Sequence, residues 1–361
     1  MDHRPDPVVT TARPAMEIGL FTFGELTTDP LTQRLANPAT RLGEFIELAR
    51  IADEAGLHVF GVGEHHRPDF AIASPAVVLA AVAARTTRIR LTSTVTVLST
   101  ADPVNVFQDF ATLDLLSNAR AEITVGRGAY VESFPLFGYD LNDYDALFDE
   151  KLTLLERLNA SERVTWSGRF RPPLVNVGVY PRPSQDRLPI WVAVGGTPAS
   201  AERAGRHGLA LYLAILGQPR RFVDLADRYR AAGANAGHEH LRVGVTSHVH
   251  VARTSQEARE AFYPYYSRYI GQNMPAARGN PLGRDAFESW AAPEGALFVG
   301  SPAEIVDKIL FEHDLLGHDR FLAQVGLGGL PFADTAAAVE LLATAVLPEV
   351  ERALAAPLAT R

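Results

Sequence analysis

Residues 89–103 read Ile89-Arg-Leu-Thr-Ser-Thr-Val-Thr-Val-Leu-Ser-Thr-Ala-Asp-Pro103. Aliphatic and β-branched residues alternate through most of this stretch, and a polar turn that ends in a proline closes it. The pattern predicts a buried strand that carries hydroxyl groups to its carboxyl end. Strand-then-helix units precede and follow the stretch, so we interpret it as one unit of a repeated β/α chain.

Eight such units can be read along the chain. Besides the strand within 89–103, strands are predicted at 16–23, 57–62, 121–125, 189–194, 209–215, 241–251 and 320–325. Helices are predicted at 41–55, 74–86, 103–116, 143–159, 198–207, 219–232, 255–270, 301–316 and 333–353. Ser74-Pro75 and Ser301-Pro302 are typical helix starts, with serine as N-cap and proline at the first helical position. Eight units in order predict an α/β fold, a (β/α)8 TIM barrel, rather than an open sheet.

The domain organisation follows from the same pattern. Residues 16–355 are predicted to form a single barrel domain with insertions near 160–189 and 271–300, which are irregular in pattern; the second could act as a lid. Residues 1–15 are proline-rich and lack an apolar core segment. We therefore expect a flexible N-terminal tail and no secretory signal.

Composition excludes several classes of function. The chain has 361 residues, 47% of them hydrophobic, which suits a globular protein with a substantial core. Its net charge is -8 with no basic run, so nucleic acid is not an expected partner. The absence of cysteine excludes disulfides, thiolate zinc sites and a cysteine nucleophile. No apolar run is long enough to span a membrane, and we expect a cytoplasmic protein.

In a barrel of this type the chemistry lies at the carboxyl ends of the strands. One such end carries Gly63-Glu64-His65-His66. Adjacent histidines point in different directions, so at most one is expected to face a shared site. That imidazole could act as a donor or acid/base near neutral pH, or the pair could simply pack in the loop. A metal site is less favoured, because the two histidines lack the i, i+4 spacing of a helical zinc site.

Three further strand ends carry candidate ligand-binding residues. The hydroxyls of the Thr94-Val95-Thr96-Val97 strand could bond neighbouring backbone, or the strand could pack beneath a flat heterocycle. Gly126-Arg127-Gly128 could be a tight turn with a solvated arginine, or the arginine could pair a phosphate or carboxylate. Gly195-Gly196-Thr197 precedes a helix, where bare backbone amides form an anion site, although such turns also occur without ligand.

Two other patterns are weaker. His248 and His250 would share one strand face, but no third metal ligand is apparent, so no metal is predicted. The segment from Gly19 to Gly24 is not a dinucleotide fingerprint, because no helix follows it directly.

Taken together, these segments resemble the bacterial luciferase-like family of flavin-dependent monooxygenases over about residues 16–350. The resemblance is carried by Gly63-Glu64-His65-His66, Val97–Val104, Leu113–Arg120 running into Ile123–Gly128, Pro189–Thr197 and Val299–Ile305. The order and spacing of the pieces are more specific than any one of them.

The resemblance implies a (β/α)8 barrel that binds reduced FMN or, in a sister branch, a deazaflavin coenzyme. It places the flavin ring near Phe23, Thr94 and Val95, with a non-prolyl cis peptide at Thr94–Val95, and it matches the family's active-site histidine to His65. It places the phosphate among Arg127, Gly195, Gly196 and Thr197. Luciferase itself has acidic and hydroxyl residues where this chain has Gly195-Gly196, so light emission is not implied.

The implied activity is oxidation of a small organic substrate by O2 and reduced FMN. No nicotinamide-binding motif is present, which is consistent with a separate flavin reductase. The substrate would enter between residues 24–40, Tyr130 and residues 271–300, and no residue identifies it. The family commonly forms homodimers through early barrel helices, and helix 74–86 could serve here. Alternatives are a deazaflavin-dependent oxidoreductase, a non-catalytic flavin-binding protein and, more distantly, a metal-dependent hydrolase.

Overall fold

A computed structural model describes residues 16–128, 130–274, 277 and 279–355. The predicted tail, residues 1–15, lies outside the described residues. The strands are β1 Glu17–Thr22, β2 Val59–Val62, β3 Arg90–Ser93, β4 Thr96–Val97, β5 Ala121–Gly126, β6 Arg163–Trp166, β7 Leu174–Gly178, β8 Ile190–Val194, β9 Ala210–Ala214, β10 Val243–Val251, β11 Phe298–Gly300 and β12 Arg320–Gln324.

The helices lie around these strands. They are α1 Pro38–Ala55, α2 Pro75–Ala83, α3 Pro103–Leu116, α4 Ser133–Phe137, α5 Tyr144–Ala160, α6 Pro198–Arg206, α7 Val223–Asn235, α8 Ser255–Asn273, α9 Arg284–Ala291, α10 Pro302–Leu316, α11 Phe332–Leu341 and α12 Leu347–Ala355. A π-helical segment, Leu342–Val346, joins the last two. No helix in the described part of the chain is long and apolar enough to cross a membrane.

Eight of the strands close into a parallel ring. The order is β1-β2-β3-β5-β8-β9-β10-β12, and β12 pairs again with β1. The predicted (β/α)8 barrel is therefore confirmed. All carboxyl ends of the ring lie at one pole of the molecule, as parallel pairing requires.

Local signals explain where several helices begin and end. The Asp102 side chain accepts a hydrogen bond from the backbone N–H of Val104, and Pro103 opens α3. Ser301 forms the predicted N-cap, with Glu304 completing a reciprocal capping box. Ser74 precedes α2 at the N-cap position, but its side chain makes no capping hydrogen bond.

The structure corrects four expectations about local structure. The strand within 89–103 is interrupted: β3 ends at Ser93, and the chain resumes as β4, which pairs with β5. Residues 160–189 contain the antiparallel hairpin β6–β7 rather than only irregular chain. Residues 271–300 include α9, and their end, β11, extends the sheet by pairing with β10. The alanine- and valine-rich sequence of α2 predicts a buried helix, but Val77 is 69% exposed.

The amino-terminal end of the barrel is filled by a buried ionic cluster. Arg320, with no exposed surface, donates to Glu17 Oε2 at 2.7 Å, to Glu122 Oε2 at 2.5 Å and to the Tyr212 hydroxyl at 3.1 Å. Burial alone would raise the pKa of Glu122, but the guanidinium groups of Arg320 and Arg90 hold it well below its ordinary value. Protein side chains fill this end, which leaves the carboxyl ends of the strands as the place for a ligand.

Candidate active site

Phe23, His65 and Thr94 meet at the carboxyl ends of β1, β2 and β3. The ring centroids of Phe23 and His65 lie 4.6 Å apart. A Cβ atom on Gly63 would stand 2.4 Å from Cδ1 of Phe23 and 2.9 Å from the carbonyl oxygen of Thr94. The glycine that precedes the Glu-His-His run therefore permits the approach of the three elements.

The Thr94–Val95 peptide bond is cis, as the family resemblance implies. Neighbouring glycines receive both side chains. A Cβ on Gly61 would lie 2.5 Å from Cγ2 of Thr94, and a Cβ on Gly126 would lie 2.7 Å from Cγ2 of Val95. The turn between β3 and β4 thus fits between two strands that lack a side chain at the point of contact.

Glu64 fixes the strand end and separates the roles of the two histidines. Its carboxylate accepts from the backbone N–H of Val97 at 2.9 Å and pairs with His66 Nε2 at 2.7 Å. His66 is therefore tied to the loop. His65, by contrast, packs against Phe23.

The imidazole of His65 is packed between aromatic rings. It stacks on Phe70 at 4.1 Å between centroids and meets the edge of Tyr130 at 5.4 Å. Burial lowers the pKa of His65 to about 4, so the ring is neutral near physiological pH. Its Nδ1 atom is buried and has no hydrogen-bond partner within the described residues.

Two hydroxyls at the junction of β3 and β4 share this property. Thr94 Oγ1 and Thr96 Oγ1 are also buried without a hydrogen-bond partner in the described part of the chain. Buried polar atoms are nearly always paired in folded proteins. The three unpaired atoms therefore fit a polar ligand at this strand end, such as the polar edge of a flat heterocycle.

The predicted anion-binding residues also come together. Arg127 Nη2 donates to Thr197 Oγ1 at 3.3 Å, and Arg127 Nη1 pairs with Asp145 at 2.6 Å. Gly195 and Gly196 are exposed, with open space where a side chain would begin. Thr197 stands at the N-cap of α6, but its hydroxyl makes no capping hydrogen bond. This arrangement can accept a phosphate group at the start of α6.

Sequence reasoning missed two residues of this region. Ser200 Oγ and Arg203 Nη1, one turn apart on α6, are buried and have no hydrogen-bond partner among the described residues. Arg203 also lies 3.8 Å from Asp145, the residue that pairs with Arg127. Their spacing on one helix face behind Thr197 was a signal that could have identified them.

A cavity of about 210 Å³ opens beside Phe70 at the barrel mouth. It lies between the first residues of the loop after β1, the Arg67–Asp69 pair and the end of α8. The hydroxyl of Tyr130 donates to Oδ1 of Asn273, one of the lining residues, at 3.3 Å. This is the place where the sequence analysis expects a substrate to enter.

The two histidines on β10 have packing partners. His248 Nδ1 lies 2.8 Å from the Tyr266 hydroxyl, and His250 stacks on Phe262 at 5.2 Å. Within the described ranges, no three His, Asp or Glu residues stand close enough together to hold a metal ion.

Comparison with known proteins gives a consistent result. A family model described as luciferase-like monooxygenase matches residues 16–319. The oxygenase component of flavin-dependent trigonelline monooxygenase from Acinetobacter baylyi is 26% identical over 355 residues, which cover 92% of this chain and 95% of that protein. An F420-dependent glucose-6-phosphate dehydrogenase from Amycolatopsis mediterranei is 33% identical over 177 residues, covering 46% of this chain and 51% of that protein. The crystal structure of monooxygenase RslO1 from Streptomyces bottropensis superimposes with a TM-score of 0.79 at 27% identity, covering 92% of this chain and 99% of that one.

Proposed function

The chain belongs to the luciferase-like monooxygenase family, and from this premise we propose that it uses reduced FMN and O2 to oxidise a small organic substrate. The observation that carries the proposal is the set of three buried, unpaired polar atoms that follow the neighbouring strands β2 and β3, namely His65 Nδ1, Thr94 Oγ1 and Thr96 Oγ1. A flat ring with polar edges would pair them, and the open Gly195-Gly196 turn would take its phosphate.

The residues present fit FMN at both ends. In the proposal the isoalloxazine ring packs against Phe23, His65, Thr94 and Val95. The phosphate is held by Arg127, Gly195, Gly196 and Thr197, with Ser200 and Arg203 supporting it from α6. Reduced FMN, when bound, supplies the electrons that activate O2, and the protein supplies binding, orientation and electrostatics.

His65 is proposed as the catalytic residue. Because its ring is neutral, one of its two nitrogens can accept a hydrogen bond and the other can donate one. The side chain can therefore pass a proton by accepting it at one nitrogen and releasing one from the other. The rings of Phe23, Phe70 and Tyr130 surround it and exclude water from the reacting centre.

A deazaflavin coenzyme is the second candidate cofactor. It is supported by the 33% identity to an F420-dependent dehydrogenase over 46% of this chain. Titrating the purified protein with FMN and with coenzyme F420, followed by flavin fluorescence, tests the choice. We expect saturable FMN binding; saturable F420 binding without FMN binding would overturn the proposal.

His65→Ala separates an enzyme from a protein that only binds flavin. With a flavin reductase supplying reduced FMN at a concentration that saturates the variant, we expect the loaded variant to lose substrate oxidation by roughly a hundredfold, a usual acid–base contribution. An unchanged oxidation rate would favour flavin binding without catalysis by this residue.

Two partners belong to the proposal. A separate reductase is supported by the trigonelline relative, which is named as an oxygenase component. Because such a reductase would draw on intracellular reduced nicotinamide, we also propose a cytoplasmic location.

A homodimer is supported by exposed apolar side chains on α2 and α3, namely Val77 (69%), Leu115 (46%) and Leu116 (62%). Sedimentation of the protein and of Leu116→Asp tests the dimer.

A further inference from the structure

A larger cavity, of about 500 Å³, lies between the end of β10, the start of α8 and the length of α11. We call it the flank cavity. Its lining includes Glu257 and Ala261 from the first two turns of α8, whereas the last residues of that helix, Gln272 and Asn273, line the cavity beside Phe70. None of the residues proposed to hold FMN lines the flank cavity, so it is a separate site.

His250 is the buried polar side chain of the flank cavity. It lines the cavity although it is only 3% exposed, and its ring stacks on Phe262 at 5.2 Å between centroids. Its imidazole has no hydrogen-bond partner among the residues that the structure describes. Because buried polar groups are nearly always paired, a ligand that offers an N–H group would complete this site. Burial lowers the pKa of His250 to about 4, so the ring has an acceptor nitrogen near neutral pH.

The charges around the flank cavity favour a cation. Three carboxylates line it, from Glu257, Asp334 and Glu340, against the single guanidinium of Arg253. Neither Asp334 nor Glu340 has a hydrogen-bond or ion-pair partner for its carboxylate in the described part of the chain. The excess of negative charge attracts positive ligands to the cavity.

The helix that begins at the flank cavity does not offer an anion site. The Thr254 side chain accepts from the backbone N–H of Glu257, and the Glu257 carboxylate accepts in return from the backbone N–H of Thr254. This capping box pairs amides at the start of α8 and places a negative charge there. An anion would meet that charge rather than free amides.

The spacing of the carboxylates does not suit a metal ion. Asp334 and Glu340 are six residues apart on α11, which is about 9 Å along the helix axis. Within the described ranges, no three His, Asp or Glu residues converge on one point that could hold a metal. Separated carboxylates instead suit a ligand with positive groups at both ends of a chain.

We propose that the flank cavity binds a linear aliphatic polyamine. Its ammonium groups pair with Asp334 and Glu340, and one N–H group donates to the imidazole of His250. Its methylene chain packs on the apolar part of the lining, which consists of Val251, Ala252, Ala261, Ala337 and Leu341. The proposal is independent of the proposed oxidation, because the two use different residues.

Calorimetric titration of the FMN-free protein at low salt tests the class of ligand. The probes are spermidine, butylamine, Mg²⁺ and inorganic phosphate. We expect saturable spermidine binding, and binding of butylamine that is about tenfold weaker because it carries one ammonium group. Absence of spermidine binding, equal affinity for butylamine, or tighter binding of Mg²⁺ or phosphate would overturn the proposal. Because FMN is absent, the result does not depend on the flavin assignment.

Two variants test the position of the site. We expect Asp334→Asn combined with Glu340→Gln to weaken spermidine about tenfold, and His250→Phe, which keeps a flat ring against Phe262, to do the same. FMN affinity should stay within about twofold in both. The two carboxylates are on exposed residues, so the double variant decides the matter if His250→Phe folds poorly.

Asp307→Asn is the matched control, since this exposed carboxylate on α10 does not line the flank cavity. It should leave spermidine affinity unchanged. An equal loss in Asp307→Asn would show only general attraction of a polycation to an acidic protein. That result, or unchanged affinity in the double variant, would refute the site.

Discussion

The clearest test of the cofactor assignment is Arg127→Ala, measured with FMN and with riboflavin. Riboflavin has the same ring system as FMN but no phosphate. In each protein, the affinity for riboflavin is therefore the reference for the affinity for FMN. A hydrogen bond from a charged donor contributes about 1.5–3 kcal/mol. Arg127 keeps 20% of its side chain exposed and is shared with Asp145, so we take a value just below this range, about 1.4 kcal/mol or tenfold in Kd.

The assay is quenching of flavin fluorescence at low salt, where charge effects are least screened. We expect Arg127→Ala to weaken FMN about tenfold and to leave riboflavin within about twofold. Arg163→Ala, an exposed arginine on the β6–β7 hairpin, is the control and should change neither ligand. Equal losses for FMN and riboflavin, or no loss for FMN, would refute the placement of the phosphate beside Arg127.

Three further predictions concern stability and site geometry. Burial lowers the pKa of His318 to about 3, so between that pH and about 6.5 only the unfolded chain takes up its proton, and the free energy of unfolding falls as pH decreases. Between about pH 6.5 and 5, the free energy of unfolding measured in urea should therefore fall by about 2 kcal/mol less in His318→Leu than in wild type. In the control His240→Leu, which replaces an exposed histidine, it should fall by as much as in wild type. Arg320→Met should cost about 3 kcal/mol in urea unfolding, because it leaves buried carboxylates short of a partner; an unchanged midpoint would contradict the importance of the ionic cluster. Gly63→Ala should weaken FMN about tenfold by displacing the aromatic ring that lies 2.4 Å from the new Cβ, whereas Gly43→Ala, with open space around it, should leave FMN binding unchanged.

The fold was predictable wherever local chemistry and tertiary packing agree. Helix α3 lies where the sequence predicts it, because Asp102 and Pro103 specify its start and its apolar positions specify its inner face. The break after Ser93 was not visible in the pattern, since the alternation of apolar and hydroxyl residues continues through it. The β6–β7 hairpin was missed because its first strand buries only two side chains, Val164 and Trp166. Two alternating apolar positions in a proline-rich segment are too few to indicate a strand.

For the candidate site, sequence order indicated the strand ends but not their neighbours across the barrel. His65 and Arg127 could be recognised as candidate site residues because each follows a strand and has a glycine within two residues of it. Glu25 and Gln324 could not be linked, because 299 residues separate them and only ring closure brings β12 beside β1. Whether His65 or His66 faced the site depended on the hydrogen bond between His66 and Glu64, which spacing alone does not specify.

The closed ring also has a consequence for how such a protein can diversify. The strands proposed to carry the redox group precede residue 200, whereas β10, α8 and β12 all follow residue 240. Inherited changes in the later part of the gene can therefore alter the end of α8, which forms one wall of the cavity beside Phe70, without changing the residues proposed to hold FMN. Chimeras that exchange only that later part between relatives should retain the flavin affinity of the parent that donates the earlier part.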